Sequence, residues 1–174
     1  MKFIDQLKEK AKQNKKTIVL PETLDMRTIE AAGKVLAEGI ANIILVGDKE
    51  DIMSRAGDID LSGASFVDPK NYEKFDEYVD AFVEMRRKKG MTEARAKELL
   101  LTNPLYFGCM MVKQDDADGM VAGAINASAD VLRAALQTLK TAPGTRIVSA
   151  FFLVVVPDCQ YGANGTFVFA DAGL

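Results

Sequence analysis

Two short apolar runs, Thr17-Ile-Val-Leu20 and Asn42-Ile-Ile-Leu-Val-Gly47, constrain this chain more than anything else in it. Neither alternates apolar with polar, so each reads as a strand buried on both faces, the signature of a parallel sheet covered on both sides. Between them Ile29, Ala32, Leu36 and Ile40 recur at helical spacing, with Gly39 where a left-handed C-terminal cap belongs. Strand, helix and strand make a βαβ unit, whose crossover is right-handed. The expected fold class is therefore α/β: a three-layer α/β/α open sheet with mostly parallel strands.

The flanking segments extend that frame. Phe3, Ile4, Leu7 and Ala11 place an amphipathic helix over residues 2–14. Lys49 to Ala56 reads as a helix capped by Asp48 and closed by Gly57, and Ala64 to Asp68 as a third strand. Phe75, Tyr78, Val79, Phe82 and Met85 predict one long helix from Tyr72 to Lys89, ending in the basic run Met85-Arg-Arg-Lys-Lys-Gly90. That run has two readings: cations that complement a helix C-terminus, or a phosphate-binding cluster. Thr92 and Asn103-Pro104 start two short helices, the second running through Met111.

Gly119 to Ala122 reads as a buried strand, and Gly123-Ala-Ile-Asn-Ala-Ser128 carries the chain into a helix with Ser128 as its N-cap. At the carboxyl edge of an open sheet such a turn offers free N–H groups to an anion, and Arg133 near the helix start adds a forked cation. The alternative is structural: glycine for the turn, serine for the cap, arginine on a solvated face. Thr141-Ala-Pro-Gly-Thr145 is a joint. After it, Ile147 to Val156 and Thr166 to Asp171 form a hairpin turning at Asn164-Gly165. The expected division is a first α/β/α domain over 1–145 and the first hairpin of a second α/β domain over 146–174. A lone hairpin is marginal and exposes its edges, so the polypeptide is expected to continue.

Composition removes several functions. With 22 Lys+Arg against 25 Asp+Glu the net charge is −3, which gives no general attraction for nucleic acid. No apolar run approaches the ~20 residues of a membrane span. The charged N-terminus lacks the apolar core of a secretory signal, so the cytoplasm is expected. Histidine is absent, which excludes imidazole bases and Ser-His-Asp triads. Cys109 and Cys159 lack metal-ligand spacing, and neither a Walker lysine motif nor GxGxxG is present. No metal is expected.

Seven motifs occur in order along the chain: Val19-Leu-Pro-Glu22 followed by Arg27; Met85-Arg-Arg-Lys-Lys-Gly-Met91; Asn103-Pro-Leu-Tyr-Phe-Gly108; Asp116-Ala-Asp-Gly-Met-Val-Ala-Gly123; Asp130-Val-Leu-Arg133; Lys140-Thr-Ala-Pro-Gly144; and Phe167-Val-Phe-Ala-Asp171. Together they resemble the phosphate acetyltransferases. Phosphate butyryltransferases and the related domain of some malic enzymes share looser versions, which leaves a butyryl enzyme or a non-catalytic module sensing acetyl-CoA or a phosphometabolite as alternatives.

The resemblance implies reversible acetyl transfer, acetyl-CoA plus phosphate giving acetyl phosphate plus CoA, as part of acetate metabolism. It implies a homodimer with its site between two domains, no tightly bound cofactor, and coenzyme A as a substrate. On this resemblance Arg133 and Ser128 are the catalytic candidates at the acetyl phosphate site, with Asn126 and Ala127 in the adjoining loop. Arg86 is the candidate for binding CoA or substrate, Arg87 its neighbour, and Cys159 lies near the cleft without being the nucleophile. Family chains are about twice as long, in the range of two domains. Their aspartate base and Ser-Arg pair follow the Phe-Ala-Asp motif, so this chain alone is expected to be inactive.

Overall fold

The computed structural model describes residues 3–170. Residues 14–140 form one compact unit, and the described residues 3–13 and 141–170 belong to another. The second unit contains α1 (Phe3–Gln13), which carries the expected amphipathic helix, and an antiparallel hairpin of β5 (Phe151–Val155) and β6 (Thr166–Ala170). Asn164 and Gly165 both take positive φ, 51° and 81°, and Ala163 and Thr166 exchange main-chain bonds across them, as a tight primed turn requires. β5 starts later than expected, because residues 147–150 lie outside any strand; Asp171 lies outside the described residues. Phe151, Phe152, Val168 and Phe169 are exposed on this hairpin.

The main unit is built on the expected βαβ frame. β1 (Lys16–Leu20) leads through α2 (Met26–Glu38) to β2 (Ala41–Val46), then through α3 (Lys49–Ala56) to β3 (Ser65–Val67). Three helices follow, α4 (Phe75–Arg86), α5 (Glu93–Thr102) and α6 (Pro104–Lys113), before β4 (Gly119–Met120) and α7 (Ser128–Thr138). The sheet order is β3-β2-β1-β4 and all pairings are parallel. Strand alternation fills two separate cores. Leu20, Ile43 and Leu45 face Ile29, Ala32 and Ile52 of α2 and α3. Val19, Ile44 and Val46 face Phe82, Leu100, Phe107 and Ala134 of the later helices. Gly108 lets α6 lie close on the sheet, since a Cβ there would sit 2.8 Å from the Met120 sulfur and 3.3 Å from Val19.

Capping follows the sequence for three helices: Asp48, Thr92 and Asn103 accept main-chain N–H bonds at the starts of α3, α5 and α6, and Asp25 does the same for α2. Two expectations need correction. The helix read from Tyr72 to Lys89 is α4 alone, flanked by 3-10 turns at Pro69–Asn71 and Arg87–Lys89. Tyr72 is held extended, and its hydroxyl donates to Asp116 at 3.2 Å. Ser128 is not the N-cap of α7: Ala127 has the extended cap geometry without a side-chain bond, and Ser128 is already helical and exposed.

Two buried or half-buried carboxylates tie distant segments together. Asp116, just before β4, accepts from the Tyr78 hydroxyl and pairs with the Lys74 ammonium. Burial would raise its carboxyl, but Lys74 and then Tyr78 hold it below the usual carboxylate range. Burial pushes the Tyr78 hydroxyl far up, with the Asp116 bond adding to it, so that hydroxyl stays a donor.

Glu22, in the turn after β1, is 3% exposed. One of its carboxylate oxygens accepts the N–H groups of Gly123 at 2.5 Å and Ala124 at 2.6 Å. The other accepts those of Ile125 at 3.1 Å and Asn126 at 2.8 Å, and the Asn126 side-chain amide at 2.7 Å. Burial alone would raise this carboxyl; the Asn126 main-chain and side-chain bonds, then Ala124 and Ile125, outweigh it and hold it at about 2.

Both clasps give stability predictions. Asp116→Ala strands the Tyr78 hydroxyl and the Lys74 charge, and urea unfolding should show a loss of about 2–4 kcal/mol; a loss under half a kcal/mol, roughly the level of an ordinary surface change, would contradict the clasp. Glu22 has a folded pKa below its ordinary 4.5, so its contribution is complete above that value and is lost as pH falls from 4.5 to about 2. The gap in unfolding free energy between wild type and Glu22→Gln should be about 3 kcal/mol near neutrality and close across that window. A gap that stays constant with pH would refute it.

Candidate functional site: a cationic groove between helices

The sequence candidates Arg86 and Arg133, 47 positions apart in the chain, line one groove of about 440 Å³ within the main unit. The end of α4 and the 3-10 turn after it supply Arg86 and Lys89. α5 supplies Arg95, Glu98, Leu99 and Thr102, α6 supplies Tyr106, and α7 supplies Arg133 and Gln137. Three arginines and one lysine face one glutamate there, so the groove carries positive charge in a chain whose net charge is negative. Low-dielectric walls focus such a field on an anion.

The groove is shaped by packing. α7 lies against α6 and α4 through Ala134 and its neighbours, which turns Arg133 and Gln137 to the same side as Tyr106. The Tyr106 hydroxyl donates to the Gln137 side-chain oxygen at 3.2 Å. Burial pushes that hydroxyl up, while the Arg133 and Arg86 charges pull it back, which marks all three as electrostatic neighbours. Arg133 is exposed and leans on Asp130 at 2.6 Å, an i,i+3 pair on the helix surface that an incoming ligand can break at little cost. Arg86 is half-buried, and its Nε is fully shielded from solvent with no hydrogen-bond partner among the described residues. A shielded donor left unpaired costs about 1–3 kcal/mol. Arg86 also lines the groove, and a guanidinium fork suits phosphate oxygens.

The remaining sequence candidates fall elsewhere. Arg87 turns away to Glu84 at 2.5 Å and is exposed. Asn126 spends its N–H and its side-chain amide on Glu22, and neither Ala127 nor Ser128 lines the groove. The turn from Gly123 to Asn126 is indeed an anion nest, but its anion is the protein's own carboxylate. Cys159 is half-buried in the hairpin loop of the other unit.

Lys89 belongs to the basic run that the sequence offered as a phosphate cluster; sequence reasoning missed Arg95, Tyr106 and Gln137. Arg95, Glu98, Leu99 and Thr102 have the spacing of one helix face and could have been read as a polar stripe. Nothing in the sequence says which helix that stripe meets. No helix among the described residues is long and apolar enough to cross a membrane.

Comparison with known proteins agrees with the ordered motifs. Residues 2–174 match the family described as phosphate acetyl/butaryl transferase. Phosphate acetyltransferase of Acetivibrio thermocellus is 54% identical over 174 residues, all of this chain and 52% of the relative. That of Escherichia coli is 39% identical over 162 residues, 91% of this chain and 22% of the relative. Among solved structures, the EutD phosphotransacetylase from Staphylococcus aureus superposes with a TM-score of 0.85 at 35% identity, covering 98% of this chain and 50% of that one. A phosphotransacetylase from Streptococcus pyogenes gives 0.84 at 34%, covering 97% and 51%. The chain thus spans about half the length of the first of these relatives and of both structural neighbours. By these matches and by its fold, the chain belongs to the phosphate acetyl/butaryl transferase family.

Proposed function

We propose that this chain is the coenzyme A-binding part of a phosphate acetyltransferase, and that the cationic groove takes the phosphate groups of CoA. The observation that carries this reading is the convergence of Arg86 and Arg133 on one groove, with the Arg86 Nε buried and unpaired. In the reaction, the CoA thiolate attacks the acetyl carbon of acetyl phosphate, a carbon–sulfur bond forms, the bond from that carbon to the phosphate oxygen breaks, and inorganic phosphate leaves. The reverse direction makes acetyl phosphate from acetyl-CoA and phosphate. Arginines in the groove bind and orient; their fixed charge anchors the nucleotide end of CoA and leaves the thiol arm free to reach the acetyl group. Binding energy gained at a remote phosphate in this way supports positioning at the reacting centre. A homodimer working in the cytoplasm, without a prosthetic group, is the setting this reading carries.

The test is thioester formation from CoA and acetyl phosphate, followed by ultraviolet absorbance in the protein at its full natural length. Arg133→Ala and Arg86→Ala should each raise KM for CoA by about ten- to a hundredfold, the equivalent of losing one or two charge-assisted hydrogen bonds, with a much smaller change for acetyl phosphate. Equal effects on both KM values would remove the groove as the CoA site. Absence of turnover in the wild-type protein, with any acyl phosphate from acetyl to butyryl, would remove the function itself. Raising salt should weaken CoA binding in wild type more steeply than in Arg133→Ala, because the variant has one charge fewer to screen.

A further inference from the structure

We propose that Glu22 is a positioning residue for the arginine groove: its carboxylate is the permanent anion of the 123–126 nest and so sets the start and direction of α7. The inference rests on the CoA reading only for its choice of ligand probe.

Three observations carry it. The four consecutive N–H groups from Gly123 to Asn126 converge on the Glu22 carboxylate, which requires the Gly123 φ of 109° that other residues rarely adopt. The same loop is gripped from its carbonyl side. Arg27 donates to the Ala124 carbonyl at 2.6 Å while its guanidinium is held on Asp25 at 2.6–3.2 Å. The β1–α2 turn and the first turn of α2 therefore hold the N–H and the C=O side of a loop about 100 residues away. Finally, α7 has no side-chain N-cap, because Ala127 cannot supply one. Its beginning is determined by the loop that Glu22 holds.

The consequence reaches the groove through a rigid element. Arg133 lies five residues past the first residue of α7, about 7.5 Å along the axis. A slip of one residue at the helix start would rotate Arg133 and Gln137 by about 100°, out of the groove. Filling the nest with an internal carboxylate also closes it to a ligand phosphate. The exchangeable anion is then directed to Arg86 and Arg133, whose partners are weak or missing.

The experiment compares wild type, Glu22→Gln and Glu22→Ala at full natural length by amide hydrogen exchange and by calorimetry with CoA. In both variants the 123–126 amides and the first turn of α7 should lose protection together, and CoA affinity should fall by about tenfold or more, the low end of what loss of charged hydrogen bonds costs. Formate, small enough to enter the nest vacated in Glu22→Ala, should restore both protection and affinity, and chloride at equal ionic strength should not. Wild-type CoA affinity in a variant whose 123–126 amides are unprotected would overturn the proposal. So would formate that restores protection but leaves affinity low, or wild-type protection in Glu22→Gln. Should Glu22→Ala fail to fold, or formate fail to enter, Glu22→Gln decides by the first and last of these outcomes. Should wild type itself not bind CoA, the function reading falls. Exchange alone then tests Glu22, and a loss of protection confined to 123–126, sparing α7, overturns it.

Discussion

A carboxylate shut away from water persists in ionised form only when donors replace its hydration, and at Glu22 five N–H groups do so. The position of that carboxylate matters as much as its bonds. In the order β3-β2-β1-β4 the chain builds outward from β1 to one side and then returns to pair β4 on the other. The carboxyl ends of β1 and β4 therefore flank the crevice where the winding direction changes. Main-chain pairing between them ends with the Val121 N–H on the Val19 carbonyl, so the loops beyond would diverge. Glu22 from the first loop and residues 123–126 from the second close that gap. With Arg27 and Asp25 gripping the other face, the switch point becomes a fixed base for α7.

From that base the chemistry of the unit divides into two kinds of charge. Charges with permanent partners build the fold: Glu22 in its nest, Asp116 under two tyrosines and a lysine, Arg55 shared by Asp51 and the Thr23 carbonyl. Charges with weak or missing partners gather in the groove, where Arg133 has one exposed i,i+3 pair and the Arg86 Nε has none among the described residues. On the reading proposed above, an anion entering this protein finds the nest already occupied by Glu22 and the arginine-lined groove open. That sorting follows from desolvation. A charge that must wait for a ligand is tolerable where water can reach part of it, whereas a fully buried one has to be paired in advance.

The sheet and most helix starts were legible because they rest on local chemistry. Doubly apolar strands, a helical repeat between them and acidic, threonine or asparagine caps each declare themselves within a few residues. Arg86 and Arg133 were legible through family resemblance, and Arg133 also through its place beyond a turn. What escaped was decided at long range. Glu22 reads as an ordinary polar residue in a Pro-Glu-Thr turn, since its partners are mostly main-chain N–H groups that only Gly123 hints at. Ser128 looked like a cap because serine commonly is one, yet the Glu22 clasp places the helix start so that Ala127 occupies the cap position. Tyr72 was read as the first residue of the helix that Phe75 to Met85 mark out, and a hydrogen bond to Asp116 holds it outside α4.

The same distinction explains why the sequence pointed to an anion at the right loop and mistook its source. Consecutive free N–H groups at the carboxyl edge of a parallel sheet attract negative charge whatever molecule carries it. A tethered carboxylate reaches the nest at an effective concentration that a dissolved phosphate does not approach, so it wins the competition without needing stronger individual bonds. Once it has won, the nest serves geometry, and the ligand has to be recognised by groups whose pairing is incomplete. On the CoA reading proposed above those groups are the guanidinium of Arg86, with its shielded Nε, and the guanidinium of Arg133, whose ion pair with Asp130 is exposed. They stand on different helices and meet because α4 and α7 share the core around Ala134 and Phe82. On that reading recognition depends on the packing that brings those helices together and on the clasp that starts α7, as well as on the arginines themselves.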